Sequence, residues 1–285
     1  MMKSKVWFIT GASKGFGFQI AKAALASGDL VVATVRKNAD QVAAQLNGGD
    51  KALLITLDVT NEQSVQAGVQ AAIEKFGHID VLVNNAGYGL LAATEEASAE
   101  EVRKQFDTNV FGLLNVTRAV LPHLRKQGSG HIINIASLFA HLNTVPGFGL
   151  YGATKYAVEG ISEGLATELQ ASGIKVTSVA PGLFRTDFVS ADSYQASATV
   201  LDAYAETVGT VRNNIHHFHG SQPGDPAKLA SVIVKLANST HPPLHLPIGN
   251  DAVRSVREKI ALLTKEVDEW EPIATSTDHQ PAFAS

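Results

Sequence analysis

The beginning of the chain carries the pattern that most limits its fold. Four apolar residues, Val6-Trp-Phe-Ile9, lead directly into the turn Thr10-Gly-Ala-Ser-Lys-Gly-Phe-Gly17, and apolar residues at helical spacing follow from Ile20. A short run that is apolar throughout is typical of a strand buried on both faces of a parallel sheet. The sequence therefore predicts a strand, a glycine turn and a helix in succession, which is the start of a βαβ unit.

The glycines of this turn predict a dinucleotide site. Gly11 permits the tight turn, Gly15 lets the backbone approach a pyrophosphate, and Gly17 lets the helix pack closely on the strand. The phosphates would lie at the helix N-terminus, where free N–H groups and the helix dipole favour an anion. The spacing G-x-x-x-G-x-G differs from the commoner G-x-G-x-x-G, so the flanking strand and helix carry the prediction. From this turn we expect the cofactor to contact Gly11, Ser13, Lys14, Gly15, Phe16 and Gly17.

The end of the second predicted strand indicates which dinucleotide is bound. That strand ends at Val35, 20 positions after Gly15, where a cofactor with a free ribose hydroxyl usually meets an Asp or Glu. Here two cations, Arg36 and Lys37, follow instead, and Lys14 lies within the turn. These cations either surround a ribose phosphate or are solvated surface charges. The missing carboxylate favours NADP(H) over NAD(H).

Two further strand ends contribute to the same predicted site. The third strand, 51–57, ends in Asp58-Val59, and the fourth, 79–83, is followed by Asn84-Asn-Ala-Gly87. Asp58 could accept a hydrogen bond from the adenine amino group or could cap the helix that starts near Asn61, and both possibilities stay open. The small residues and amides after the fourth strand suit a backbone that passes close to a cofactor. We expect cofactor contacts from Asp58, Val59, Asn85, Ala86 and Gly87.

A tyrosine and a lysine four positions apart are the candidate catalytic pair. Tyr151 and Lys155 lie in a segment of helical periodicity, so they share a helix face. A neighbouring ammonium would lower the pKa of the phenol from its usual value of about 10. Ser137, at the end of the predicted strand 131–136, could donate a hydrogen bond to a carbonyl oxygen that Tyr151 protonates. Such a pair is common on helices, so its meaning depends on the rest of the chain.

Other polar residues complete the predicted site. Asn109 lies within the apolar stripe of a long predicted helix, 99–126, where a buried amide must brace neighbouring backbone or hold a water. Pro181, Gly182 and Thr186 follow the strand 175–180 and are expected to contact the cofactor.

Strands that alternate with helices predict the fold class. We expect an α/β fold with a single Rossmann-type, doubly wound parallel β-sheet that has helices on both faces. Ligands bind beyond the carboxyl ends of the strands in such sheets, and all the candidate residues follow strands or lie nearby. The length of 285 residues suits one large domain or two small ones, and the continuous rhythm favours one domain over 1–285.

With these motifs, the chain resembles the classical short-chain dehydrogenase/reductase family over about residues 5–250. The resemblance rests on Thr10-Gly-x3-Gly15-x-Gly17, Asn84-Asn-Ala-Gly87, Asn109, Ser137, Tyr151-x3-Lys155 and Pro181-Gly182. It implies that Tyr151 is the general acid/base and that Lys155 lowers the pKa of Tyr151 and binds the nicotinamide ribose. It also implies that Ser137 orients the carbonyl and that Asn109 belongs to a proton relay.

The same resemblance implies hydride transfer between NADP(H) and a ketone or secondary alcohol. It further implies a homodimer or homotetramer that pairs the helices bearing Asn109 and Tyr151. Ser137 precedes Tyr151 by 14 positions instead of the common 13, which places one extra residue in the loop 138–148. Three features are similar to the retinol- and hydroxysteroid-dehydrogenase-like branch: Tyr88-Gly89, Pro146-Gly-Phe-Gly149 and Leu246-Pro-Ile-Gly-Asn-Asp-Ala252.

Composition excludes several classes of function. The net charge of −4 gives no reason to expect nucleic acid or anionic lipid as a partner, and the absence of cysteine excludes disulfides and thiolate sites. The short apolar N-terminal run and the lack of 18 consecutive apolar residues predict a cytoplasmic protein without a membrane span. The segment His216-His-Phe-His219 has no Cys or carboxylate at ligand spacing, so we expect no metal.

The last hundred residues predict a substrate lid and a helical extension. Residues 183–225 lack a strand–helix rhythm, and their aromatic residues either line a site for a lipophilic substrate or only pack the lid onto the body: Phe184, Phe188, Tyr194, Tyr204 and Phe218. We expect a helix from Pro226, an edge strand at 244–247, an amphipathic helix at 249–268 and a poorly ordered or partner-docked tail from Pro272. An NADP(H)-binding regulator without turnover is the alternative to an NADPH-dependent carbonyl reductase.

Overall fold

Parallel strands form the centre of the fold. The computed structural model describes residues 4–186, 194–218 and 220–279. Its strands are β1 (Val6–Ile9), β2 (Leu30–Val35), β3 (Ala52–Thr56), β4 (Val81–Asn84), β5 (Gly89–Leu91), β6 (Gly130–Ile135), β7 (Ile174–Pro181), β8 (Tyr194–Ala196) and β9 (His245–Ile248).

Seven of these strands make one sheet in the order β3-β2-β1-β4-β6-β7-β9. All the pairings in this sheet are parallel, so the carboxyl ends of its strands lie along one edge. The strand order reverses direction between β1 and β4, the place where doubly wound folds bind their ligands. The predicted fold class is confirmed. The predicted edge strand is also confirmed as β9, whose Pro247 cannot donate to a further ladder.

Helices cover both faces of the sheet. In chain order they are α1 (Gly15–Ala26), α2 (Ala39–Leu46), α3 (Glu62–Phe76), α4 (Ala99–Phe106), α5 (Gly112–Gln127), α6 (Gly149–Glu168), α7 (Thr210–Asn214), α8 (Pro226–Ala237) and α9 (Asn250–Ala274). Alternate residues of a strand point to opposite faces. Accordingly Trp7 and Ile9 pack in one core with α1 and α8, while Val6 and Phe8 pack in the other with α3 and α5.

Two predicted helices differ from the structure. The long helix predicted at 99–126 is interrupted by a π-helical turn, Asp107–Phe111, between α4 and α5. The prediction of a poorly ordered or partner-docked tail from Pro272 is wrong in its starting point, because α9 continues to Ala274 and a 3-10 turn follows to Thr277. Pro272 is tolerated because it lies in the last, exposed turn, where the carbonyl left without a partner faces water.

The segment between β7 and α8 contains short elements. After β8, which pairs in parallel with β5, come a 3-10 turn (Asp202–Tyr204), a π-helical turn (Ala205–Gly209), α7 and a 3-10 turn (Ile215–Phe218). Phe188, His219 and the side chains of His216 and Phe218, which the sequence singled out, lie outside the described residues. Within the described ranges, none of the helices combines the length and apolar character that crossing a bilayer requires.

Candidate active site

Ser137 and Tyr151 meet at the carboxyl end of β6. Ser137 lies two positions after the end of this strand, and Tyr151 lies in the first turn of α6. Both side chains are buried, and a hydrogen bond joins them. The Ser137 hydroxyl also accepts a hydrogen bond from the Phe139 amide at 3.3 Å, which fixes its position at the start of a 3-10 turn, Leu138–Ala140. The sequence placed these two side chains on different elements, and the fold brings them into contact.

Lys155 lies one turn further along α6 and is also buried. Its Nζ donates a 2.7 Å hydrogen bond to the Ile135 carbonyl and lies 5.8 Å from the centre of the Tyr151 ring. Burial lowers the pKa of Lys155 from 10.5 to about 8, because the protein interior disfavours the charged ammonium.

The prediction that Lys155 lowers the pKa of Tyr151 is wrong when only the side chains of the protein are considered. Burial raises the pKa of Tyr151 above its ordinary value, and the hydrogen bond from Ser137 opposes this only in part. The Lys155 ammonium donates to the Ile135 carbonyl, and desolvation of the phenolate is the largest cause of the shift in the pKa of Tyr151. Tyr151 is therefore held as a neutral phenol, which can donate a proton.

Asn109 sits in the π-helical turn and binds two neighbours of the site. Its Oδ1 accepts from the Tyr88 amide and its Nδ2 donates to the Tyr88 carbonyl, both at 3.0 Å. Nδ2 also donates to Thr154 Oγ1 at 3.0 Å, and that hydroxyl donates to the Tyr151 carbonyl at 2.7 Å. Asn109 therefore braces neighbouring backbone, and the role of this amide in holding a water stays a prediction. A π-helical turn is often found at functional sites, because it redirects one side chain out of the helical register.

Side chains of Asn85 and Thr10 hold the glycine turn. Asn85 Nδ2 donates to the carbonyls of Thr10 and Gly11 at 2.9 and 3.0 Å, and Thr10 Oγ1 accepts from the amides of Asn85 and Ala86 at 3.0 Å. A Cβ on Gly17 would lie 2.5 Å from the Gly11 carbonyl, so the turn closes only with glycine there. Asn85 thus fixes the conformation of the glycine turn through its side-chain amide.

The outer side of the same turn fits a pyrophosphate. Gly15 has φ of +59°, and among the described residues a Cβ there would meet only Thr186 within 4 Å, at 3.9 Å. Helix α1 begins at Gly15 with no side-chain cap and no acidic residue in its first turn, so its first amides are available to an anion. Ser13 and Lys14 are exposed beside it, and Phe16 packs edge-on against Phe184 with ring centres 5.3 Å apart. These residues fit a dinucleotide cofactor.

The structure shows where the predicted specificity residues lie. Val35 is buried in the core, and Arg36 is the first exposed side chain after β2, with Lys37 exposed beside it. Among the described residues, no carboxylate lies within 4 Å of Lys14, Arg36 or Lys37. Within the described residues, these cations therefore form no ion pairs and remain available to bind a phosphate.

Asp58 is exposed at the same edge, after β3. Its Oδ1 accepts from the amide and hydroxyl of Thr60 at 2.9 and 2.8 Å. The alternative that Asp58 caps α3 is wrong, because Asn61 occupies that position and accepts from the Ser64 amide at 2.9 Å. The adenine contact stays a prediction, as does one from Val59, which is buried and whose carbonyl accepts from Asn115.

Asp251 is a site residue whose role the sequence did not reveal. Its carboxylate accepts a 2.6 Å hydrogen bond from the Leu183 amide, and a Cβ on Gly182 would overlap it. The Gly182 amide donates to the Ile248 carbonyl at 2.9 Å. Gly182 is therefore needed so that Asp251 and the loop after β7 can close around Pro181. The available signal was that Asp251 follows the edge strand closely in the chain, within the segment Leu246-Pro-Ile-Gly-Asn-Asp-Ala252 that was noted only as a branch feature.

An apolar wall surrounds Tyr151. The wall consists of Leu91, Ala93, Phe139, Phe148, Tyr194, Val208 and Ile215, with Leu138, Val145, Tyr204 and Val211 partly buried against it. Five of these residues belong to the segment 194–215, so this segment packs in the same cluster as the candidate catalytic tyrosine. A cleft of about 330 Å³ lies beside the wall, between residues 92–94 and the loop 143–149. Phe184 is absent from the wall and belongs to the core under the sheet.

A buried ion pair fastens this segment to the body. Arg212 of α7 lies 2.6 Å from Oε2 of Glu96, whose side chain is fully buried. Glu96 also accepts from the amides of Ala93 and Leu201, at 2.9 and 3.1 Å. Although burial by itself raises a carboxyl pKa, these hydrogen bonds and Arg212 hold the pKa of Glu96 below its usual value. Glu96 and Arg212 are far apart in sequence, so no local sequence pattern predicts this ion pair.

Known proteins resemble this chain over nearly its whole length. The sequence model of the family described as short chain dehydrogenase matches residues 5–196. "Oxidoreductase BOA17" of Botryotinia fuckeliana is 38% identical over 276 residues, covering 96% of this chain and 99% of that protein. "3-Ketodihydrosphingosine reductase" of Bacteroides thetaiotaomicron is 36% identical over 262 residues, covering 87% and 89%.

Solved structures also resemble this chain over most of its length. A short-chain dehydrogenase from Streptomyces avermitilis superposes with a TM-score of 0.88 at 41% identity, covering 97% of this chain and 100% of that one. A short-chain dehydrogenase/reductase from Burkholderia phymatum, solved in complex with NAD, gives a TM-score of 0.80 at 25% identity, covering 92% and 97%. ElxO with NADP bound gives 0.72 at 30% identity, covering 88% and 100%.

Proposed function

Because the chain belongs to the short-chain dehydrogenase family of oxidoreductases, we propose that it transfers a hydride between NADP(H) and a ketone or secondary alcohol. The observation that carries the proposal is the buried contact of Ser137 with Tyr151, with Lys155 one turn away, at the sheet edge beside the glycine turn. Proton transfer to or from a substrate oxygen needs a positioned acid within reach, and Tyr151 meets that condition.

Tyr151 acts as the general acid in the reductive direction. Its burial keeps the phenol protonated at neutral pH, which is the form that a carbonyl reduction consumes. Ser137 orients the carbonyl oxygen, and Lys155 binds the nicotinamide ribose. A bound nicotinamide would exchange the hydride with the substrate carbon. Asn109 and Thr154 fix the backbone of Tyr88 and Tyr151 around this group and so hold the proton donor in place.

The cofactor in this proposal is NADP(H), and the exposed cations are its support. Lys14, Arg36 and Lys37 have no carboxylate partner among the described residues, and the core position of Val35 leaves Arg36 as the first residue after β2 to meet a ribose phosphate. Gly87 supports the proposed position of the nicotinamide near Lys155. A Cβ on Gly87 would lie 3.0 Å from Asn109 Oδ1 and 3.7 Å from Lys155 Nζ, so the backbone of Gly87 passes close to both side chains.

The substrate in this proposal is lipophilic, and residues 183–225 form its lid. The apolar wall around Tyr151 supports this, since the described part of that wall holds aliphatic and aromatic side chains. A relative that reduces 3-ketodihydrosphingosine, by its name a ketone, agrees with this class. Substrates of the retinol- and hydroxysteroid-dehydrogenase-like branch are included in this lipophilic class.

The proposal also includes one cytoplasmic domain, 1–285, that assembles as a homodimer or homotetramer. The helices around Asn109 and Tyr151 support it, because Phe111 and Tyr156 are large side chains that remain 54% and 43% exposed there.

The test is a reduced-nicotinamide absorbance assay with NADPH and then NADH against a panel of short and long-chain ketones. We expect NADPH-dependent turnover that falls by about 10²- to 10⁴-fold in Tyr151→Phe. Tyr156→Phe is the matched control, since Tyr156 lies on the same helix with its hydroxyl bound to the His141 carbonyl. Tight NADPH binding without turnover of any carbonyl or alcohol would favour the regulator, and full activity in Tyr151→Phe would overturn the assigned acid.

A further inference from the structure

The C-terminal helix is anchored at one end and unpacked at the other. Its first turns are fixed to the site by Asp251 and by the buried residues Ala252 and Ser255. From Ile260 onward, every described residue of the chain is exposed, through 279. The exposed part includes Ile260, Leu263, Val267 and Trp270, which keep 59%, 44%, 61% and 62% of their surface in contact with solvent.

These exposed side chains follow a heptad pattern. Apolar residues recur at alternating intervals of three and four, as in the seam of a coiled coil: Val253, Val256, Ile260, Leu263, Val267, Trp270 and Ala274. At 1.5 Å per residue, this stripe extends for about 32 Å along the helix. Pro272 falls on the opposite face, where a missing N–H does not disturb the stripe. A stripe of this regularity fits another helix better than it fits solvent.

Charge is divided unequally between the two halves of the helix. The first half carries three cations, Arg254, Arg257 and Lys259, and two anions, Glu258 and Asp251, of which Asp251 accepts the hydrogen bond from the Leu183 amide. The second half carries mostly anions, Glu266, Asp268, Glu269 and Glu271, with Lys265 as the exception. Two such helices in parallel register would place like charges side by side. An antiparallel pair would place the basic half of each against the acidic half of the other.

From the stripe and this charge division, we propose that α9 is a self-association surface that pairs with α9 of a second copy of this chain, in antiparallel orientation. The charge complementarity is built into one sequence, so a second copy satisfies it without any other partner. A two-fold axis makes the contact self-complementary and closes the assembly. Because Asp251 lies in the first turn of α9 and binds the Leu183 amide beside Gly182, the pairing surface is on a helix that also contacts the candidate active site.

The test compares two neighbouring leucines. Leu263 lies on the stripe and Leu262 lies off it, with nearly equal exposures of 44% and 42%. In sedimentation velocity of the full chain over a concentration series, we expect Leu263→Glu to weaken one association step by at least tenfold and Leu262→Glu to leave it unchanged. Equal behaviour of the two variants would overturn the proposal. Far-ultraviolet circular dichroism and turnover with NADPH check that both variants are folded.

Cross-linking tests the orientation independently of stoichiometry. The chain has no cysteine, so Arg257→Cys and Glu271→Cys introduce the only thiols. Under mild oxidation we expect a covalent dimer when the two proteins are mixed, little from either alone, and loss of the mixed product when Leu263→Glu is added to both. Efficient dimers of Glu271→Cys alone would indicate a parallel pair and overturn the antiparallel arrangement.

A lipid surface is the competing occupant of an amphipathic helix. Co-sedimentation with vesicles of phosphatidylcholine and phosphatidylserine distinguishes it. We expect no binding, in agreement with the acidic second half of α9. Vesicle binding that disappears in Leu263→Glu would assign the stripe to a membrane surface and overturn pairing with a second copy.

Discussion

Replacing Lys155 with methionine is expected to abolish turnover and stabilise the protein at neutral pH. The ammonium is buried, and its pKa falls from 10.5 to about 8, which means that the fold disfavours the charged form. At about 1.4 kcal/mol per pH unit, this charge costs about 3 kcal/mol at pH 7. Methionine fills a similar volume without the charge, but it gives up the hydrogen bond to the Ile135 carbonyl, a loss of about 1 kcal/mol. The net gain is about 2 kcal/mol, or roughly 3 °C in Tm for a chain of this length.

The pH dependence separates this cause from a general effect of packing. Between about pH 8 and 10.5, the unfolded chain holds the Lys155 proton and the folded chain does not, so the stability of the unsubstituted protein rises with pH. The advantage of Lys155→Met should therefore shrink by about 2 kcal/mol between pH 7 and pH 9.5. Urea unfolding at several pH values measures it. Lys22→Met, at an exposed position of α1, is the control and should show no such trend.

Two outcomes would refute this reasoning. If Lys155→Met were less stable than the unsubstituted protein at pH 7, contacts of the ammonium would outweigh its burial. If the variant kept the same advantage at pH 7 and pH 9.5, the advantage would not come from the charge.

Two further substitutions test the cofactor preference and the lid. Arg36→Asp should lower the ratio of kcat/KM for NADPH to that for NADH by at least about tenfold, because it replaces a phosphate-binding cation with a ribose-binding carboxylate; an unchanged ratio in steady-state assays would contradict the role of Arg36. Glu96→Gln leaves Arg212 without its charged partner and should weaken the attachment of 194–215 by about 2 kcal/mol, seen as faster hydrogen exchange in that segment. Glu95→Gln is the control, because Glu95 bonds only the exposed hydroxyl of Tyr204 among the described contacts.

Much of the fold could be predicted because its signals are local. Runs such as Val6–Ile9 and Leu30–Val35 are apolar throughout, so each indicates a strand buried on both faces without any knowledge of its neighbours. Their rhythm with helices leads to the parallel sheet, whose carboxyl edge holds the glycine turn and Ser137. The roles of these residues stay predictions until activity is measured.

Other features could not be predicted because packing decides them. The π-helical turn that places Asn109 beside Tyr88 is invisible in a periodic pattern, since it inserts one residue into an otherwise continuous helix.

The order of strands, turns and helices, and the types of side chain at the sheet edge, follow from the amino-acid sequence alone. The direction of the shift in the Tyr151 pKa follows from the packed fold, because it depends on how much water the fold removes from the phenol. The packed fold also decided the contacts of Glu96 with Arg212 and of Asp251 with Leu183, whose partners are 116 and 68 positions apart. Periodicity reports what neighbours along the chain do, whereas desolvation and long-range contacts exist only after the chain has packed.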